Sequence, residues 1–274
     1  MTEHRVPECI KPLPLERYLK RAWPLLPGRA LRAAVKKRDV RINGARSGAD
    51  DMVSGGDVLT LYLDDALLNP APDVLWTDGR LIVAVKPQGL PVDVDQDGVG
   101  ADTLLNRLQC GWPGARLCHR LDAATGGIVL AAAEDAVWRQ AFEAFKAHGV
   151  RKRYTALALG NFERREGTLN AWLAKDARRA EVRVLHHDAP GAKPIETRWR
   201  ALERAGDGLW RVELEPVTGR THQLRAHMAD FGHPLLGDDR YGDRAANRLW
   251  RMNRLCLWHG RLDISADSPL ADYR

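Results

Sequence analysis

The sequence predicts an α+β protein: a mixed, largely antiparallel sheet domain preceded by a small α/β module. Three observations carry this. Strand-like segments outnumber helical ones and often follow one another directly, which disfavours a doubly wound fold. Turn signals rich in Gly, Asn and Asp separate them. Positive charge is concentrated at the front: residues 1–63 hold 12 Lys/Arg against 7 Asp/Glu, leaving 30 against 29 for the remainder. The expected organisation is a module over 1–63, a linker over 64–73 and a large domain over 74–274.

Taken in order, Leu15, Leu19, Ala22 and Leu26 recur at helical spacing until Pro27-Gly28 stops them. A second helix is expected from about Arg29 to Arg38. Val40-Arg41-Ile42 alternates like a short strand, Asn43-Gly44 signals a tight turn, and Val58–Leu63 reads as another strand. Arg29, Arg32, Lys36, Lys37, Arg38, Arg41 and Arg46 are opposed only by Asp39. That density suits a polyanion such as RNA, although an ordinary solvated helix face has the same composition. Residues 64–73, rich in Asp and Pro, read as a semi-rigid linker.

Further on, Val74–Trp76 and Leu81–Val85 read as strands around the Asp78-Gly79 turn, Ala101–Leu108 as a short helix, residues 127–133 as a buried strand, and Glu134–His148 as an amphipathic helix. Val150–Gly160 alternates as a half-buried strand, and segments near 167–173, 181–186, 195–202 and 209–215 continue the pattern. Thr218 is expected to cap a helix ended by Gly232, with Leu224, Met228 and Phe231 on one apolar face.

Composition narrows the function classes. No apolar run approaches the roughly 20 residues of a membrane helix, and the N-terminal stretch lacks the apolar segment of a secretory signal, so a cytoplasmic chain is expected. The four cysteines form no C-x-x-C pair, which points away from a zinc site or a disulfide framework. His119, His222 and His227 lack metal-ligand spacing beside a carboxylate, and no phosphate-cradling glycine loop is present. No metal and no cofactor are expected.

Two dense stretches remain. His119–Gly127 sets Asp122 beside Arg120 before two glycines and an apolar run. Read alone, Asp122 is better explained as a turn cap. The stretch 216–238 carries Arg220, His222, Arg225 and His227 along a helix that also has a core face. A small-molecule glycosidase normally brings two carboxylates to one bond, and the first stretch offers one.

Residues 13–63, with R-A-L-R-A-A-V-K-K-R-D-V-R-I-N-G and the later G-G-D-V-L, resemble the S4 RNA-binding domain. H-R-L-D-x-x-T-x-G at 119–127, K-P-x-G-L at 86–90, the R-K-R-Y run ending at Tyr154, and G-R-T-H-Q-L-R-A-H-M with G-H-P-L-L-G-D-x-x-Y-G at 219–242 together resemble the RluA family of RNA pseudouridine synthases. The resemblance implies a catalytic domain of the pseudouridine synthase type that isomerises uridine within an RNA chain. It implies that Asp122 is the essential carboxylate, that Arg225 is the cation paired with it, and that Tyr154 stacks on the target base. By the same resemblance Arg120 enters the space of the flipped uridine, Leu224 lines the uracil pocket, Lys86 meets backbone phosphate, and Arg220 binds substrate. Arg29, Arg32, Lys36, Lys37, Arg38 and Arg41 would bind RNA through the front module. The expected partner is RNA, ribosomal RNA of the large subunit ahead of transfer RNA, and the expected state is a monomer. One departure is Thr125-Gly126-Gly127, where the family usually has T-S-G; another is S-A-D-S-P-L-A-D-Y-R at 265–274, which stands in place of the family's final strand and proline-ended tail.

Overall fold

The computed structural model describes residues 1–176 and 181–273. The chain divides into two compact units, residues 1–123 with 129–135, and residues 124–128 with 136–274.

In the first unit, β1 (Thr2–Arg5), β2 (Leu13–Pro14), α1 (Leu15–Ala22), α2 (Gly28–Lys37), β3 (Val40–Ile42), β4 (Ala45–Arg46), β5 (Met52–Val53) and β6 (Val58–Leu61) form the front. β6 is the centre of a small antiparallel sheet, flanked by β1 and β3, with β4 outside β3. Leu15, Tyr18, Leu19, Leu31 and Leu59 are fully buried in its core. Helix α2 stops where the sequence expects, because Arg38 takes a left-handed conformation (φ 60°) and returns its N–H to the last turn. The first helix is shorter than the 13–26 pattern: it ends at Ala22, and Trp23 and Leu26 join the core from the turn that follows.

The expected linker is structured. Asp64 accepts a hydrogen bond from the N–H of Ala66 and starts α3 (Asp65–Leu68), and Leu68 is fully buried in the same core as Leu59 and Leu61. Val99 also enters that core, and Arg21 bonds Asp95 at 2.8 Å and Asp97. Then come β7 (Asp73–Thr77) antiparallel to β8 (Leu81–Lys86), α4 (Leu104–Gly111) capped by the Thr103 hydroxyl, and β9 (Arg116–Leu117). β10 (Gly126–Ala132) starts in the second unit and ends in the first, where Ala131 and Ala132 pair with β9.

The second unit continues with α5 (Asp135–Lys146), β11 (Val150–Leu159), β12 (Glu166–Asp176), β13 (Glu181–Leu185), β14 (Lys193–Gly206), β15 (Leu209–Pro216), α6 (Gln223–Asp230), α7 (Arg244–Leu249) and β16 (Leu257–Ile264). Its strands run in the order β13-β12-β14-β15-β11-β16, all antiparallel, and β16 pairs in parallel with Gly126 and Gly127. β16 runs to Ile264, and Leu270 is buried beyond it. Two expectations for α6 need correction. Thr218 does not cap it; its hydroxyl donates to Gln223 Oε1 and accepts from the N–H of Glu196, while left-handed His222 (φ 54°) occupies the cap. Phe231 lies past the helix end and is 36% exposed, so of the expected apolar face only Leu224 and Met228 are buried, within a run from Gln223 to Met228 that is buried throughout. Among the described residues no helix is long and apolar enough to cross a membrane.

Candidate active site

In the first unit Asp122 sits half-buried on the loop between β9 and β10, beside buried Leu121 and exposed Arg120. His119 anchors the start of this loop: its Nε2 accepts the N–H of Leu130 at 3.1 Å, which leaves the ring proton on Nδ1. The far side is fastened by one carbonyl. Ala123 O accepts the N–H of Gly89 at 2.7 Å and Nζ of Lys86 at 3.0 Å. Gly89 is left-handed (φ 92°), a conformation that favours glycine in the K-P-x-G-L motif.

Lys86 corrects an expectation. Its side chain is fully buried, and Nζ donates to the carbonyls of Pro87 (3.1 Å), Leu90 (2.7 Å) and Ala123 (3.0 Å). All three ammonium donors are satisfied inside the fold, so this residue cannot meet a phosphate. Burial pushes its pKa down to about 7, while the charge of Asp122 pulls it up. Lys86 therefore ties the 86–90 turn to the Asp122 loop, and its charge, when the proton is held, interacts with that of Asp122.

In the second unit Tyr154 projects from β11 at a register shift between Arg153 and Tyr154 where β11 pairs with β16. It is 6% exposed, and its ring stacks on His259 with centroids 4.6 Å apart and planes at 23°. His259 is fully buried, its Nδ1–H donates to Ile128 O at 2.5 Å, and burial pushes its pKa down to about 4, so it is neutral. Gly127 lies against it: a Cβ there would stand 2.2 Å from His259 O, and the backbone is at φ 120°. The glycine that closes the H-R-L-D-x-x-T-x-G motif is thus the residue that lets β16 bring His259 under Tyr154.

Arg225, on α6, is 3% exposed. Within its unit it is gripped by Asp238, fully buried, through two bonds of 2.7 Å, and by Asp239 at 3.2 Å. Its guanidinium carbon stands 5.3 Å from the centre of the Tyr241 ring. Asp238 also accepts the N–H groups of Arg240 and Tyr241. Although burial opposes it, the bonds from Arg225 and these amides hold the Asp238 carboxyl below its usual range. Sequence reasoning missed Asp238 as a partner and His259 altogether. The G-D-x-x-Y-G spacing, which puts an acid three residues before Tyr241, was the signal for the first. His259 had none beyond its place in a strand.

Leu224 is buried and Arg220 exposed on the same helix approach, where the N–H of Arg220 donates to Gln223 Oε1. In the front module Arg29, Arg32, Lys36, Lys37 and Arg38 are exposed. Arg32, Lys36 and Arg38 line a cavity of about 470 Å³ that Glu16 also borders. Arg41 departs from this set: it is half-buried, with its guanidinium 5.0 Å from the Tyr62 ring centre.

Residues 80–230 match the family described as RNA pseudouridylate synthase. The chain is 32% identical over 250 residues to ribosomal large subunit pseudouridine synthase C of Vibrio cholerae, covering 84% of this chain and 77% of the other. It is 33% identical over 192 residues to the dual-specificity RNA pseudouridine synthase RluA of Yersinia pestis, covering 68% and 92%. Among solved structures, human RNA pseudouridylate synthase domain containing 1 aligns with a TM-score of 0.60 at 30% identity, covering 72% of this chain and 79% of that one.

Proposed function

The chain belongs to the RNA pseudouridylate synthase family, and on that premise we propose how its residues convert uridine to pseudouridine in RNA and which RNA they act on. In this isomerisation the N1–C1′ bond breaks, the uracil turns, C5 joins C1′, and the proton lost from C5 is balanced by one gained at N1. Nothing is oxidised or hydrolysed. Asp122 supplies the ionised carboxylate at the ribose. The base must leave its stack for such chemistry, and exposed Arg120 takes its place. Tyr154, fixed from behind by His259, packs on the extruded uracil, Leu224 borders it, and Arg225 is the cation of the site. Arg220 and the front-module cations Arg29, Arg32, Lys36, Lys37 and Arg38 bind phosphate.

The observation that carries this reading is the convergence of two motifs on the Asp122 loop, through Lys86 and Gly89 on Ala123 O. A turn cap requires no such bracing. Large-subunit ribosomal RNA is the favoured substrate because the match to synthase C spans a share of this chain too large to leave all of residues 1–63 outside. The front module then serves as the RNA-binding domain, the chain acts as a monomer, and the site of action is the cytoplasm.

The test is to map pseudouridines in ribosomal and transfer RNA from a strain lacking the protein, then restore wild type or Asp122→Asn. A large-subunit position should lose its modification and regain it with wild type only. Equal rescue by Asp122→Asn, or an unchanged modification map in the deletion strain, overturns the reading. A change confined to transfer RNA overturns the substrate assignment alone.

A further inference from the structure

The second unit handles its arginines in two ways. Several on the sheet are matched by acids, Arg153 bonding Glu213 and Asp263, Arg200 bonding Glu213 and Arg211 bonding Glu203, while Arg151 and Arg183 stand singly on different strands. The segment from α7 to the start of β16 differs. Arg244, Arg248, Arg251 and Arg254 are all exposed, and among the described residues none has an ion-pair partner. The segment itself holds no acid, and those just before it are already engaged. Asp238 and Asp239 hold Arg225, and Asp243 accepts the N–H groups of Ala245 and Ala246 at the start of α7. Arg244 and Arg248 stand one helical turn apart, so two like charges share a face, a spacing that weakens a helix unless a counter-charge arrives.

These cations are rigidly mounted. Asn247, between them, accepts the N–H of Gly237 at 2.7 Å and donates to Asp238 O at 2.9 Å. Arg251 turns the chain in the left-handed region (φ 50°), and Met252 N–H returns to Asn247 O. Arg254 O packs so closely on Gly237 that a Cβ there would stand 1.8 Å away. The Trp250 ring closes over Gly206 of β14, where a Cβ would meet it at 2.4 Å. The segment is therefore fastened to the same backbone, Gly237-Asp238, whose carboxylate grips Arg225.

We propose that Arg244, Arg248, Arg251 and Arg254 form a phosphate-binding ridge that grips the RNA backbone beside the target uridine and sets its position relative to Arg225. This rests on the reading of the chain as an RNA-modifying enzyme. The partner is the phosphodiester backbone of RNA, read by charge and spacing rather than by base identity. Arginines that meet neither acid nor core are balanced when a polyanion lies across them, and their mounting makes that grip a ruler for the site.

The test compares the full chain with two four-fold variants, one with all four arginines changed to Gln and one with all four changed to Lys. The probes are poly(U) and unmodified ribosomal RNA from the deletion strain. The Gln variant should bind poly(U) with a salt dependence shallower by about 0.7 in log–log slope for each phosphate it no longer neutralises. Its KM for uridine conversion in the ribosomal RNA should rise roughly tenfold. The Lys variant should restore most of both, since phosphate accepts either cation. An unchanged slope in the Gln variant, or equal weakening by Gln and Lys, overturns the ridge. If wild type converts no uridine while the slope still falls in the Gln variant, the enzymatic reading fails and the ridge stands.

Discussion

Lys86 keeps an ammonium group where solvent does not reach. Replacing it by Met leaves the carbonyls of Pro87, Leu90 and Ala123 without their shared donor, so we expect a loss of about 1–3 kcal/mol in urea unfolding and a fall in kcat as the Asp122 loop relaxes. Its pKa, lowered by burial to about 7 from the ordinary 10.5, also has a stability consequence. The unfolded chain holds the proton up to pH 10.5, whereas the folded one releases it near 7, so this residue makes the fold more stable as pH rises between those values. Urea midpoints of wild type should therefore rise more steeply over that range than those of Lys86→Met. Asp238→Asn removes the buried acid facing Arg225, and we expect it to cost about 3–5 kcal/mol, read as a shift in the same midpoint. The K-P-x-G-L motif pointed to the right lysine and the wrong partner. Sequence spacing identifies a residue without stating its exposure, and a lysine is rarely buried unless something inside accepts its charge.

Among the elements, strands were legible wherever one face is buried, because alternation is the trace that burial leaves in sequence. β11, β14 and β15 were found this way. β1 was not: Thr2-Glu3-His4-Arg5 is polar throughout, and it is a strand because its backbone pairs with β6. The start of α6 was misread for a similar reason. Thr218 has the chemistry of a cap, yet its hydroxyl serves Gln223 and Glu196 instead. For the loop that leads into β10, Gly127→Ala is the informative change. A methyl group 2.2 Å from His259 O forces β16 away, and the Tyr154–His259 stack should loosen, seen as a changed near-ultraviolet circular dichroism signal with loss of activity. For α2, changing Arg32, Lys36 and Lys37 to Gln should lower the log–log salt slope of RNA binding by about 0.7 per phosphate no longer neutralised. An unaltered slope would mean that these side chains serve only solvation.

At the scale of the whole molecule, acid sensitivity follows from two buried imidazoles. Burial lowers the pKa of both His227 and His259 from 6.5 to about 4. The unfolded chain therefore binds more protons than the folded one between those limits, and stability should fall as pH drops from 6.5 toward 4. Urea midpoints over that interval check this, and a flat profile contradicts it. The α+β class and the excess charge of the front module were both readable, since they depend on composition and on the order of segments. The way the chain is apportioned was not. It leaves the first unit after Ala123, returns at Val129, and leaves again after Asp135, and no local pattern announces a crossing of that kind. Asp122 stands one residue before the first of these crossings. Because residues 124–128 lie with the unit that carries Tyr154 and Arg225, no single cut of the gene yields that unit intact. Neither unit, taken whole, is therefore encoded by one contiguous stretch of the gene.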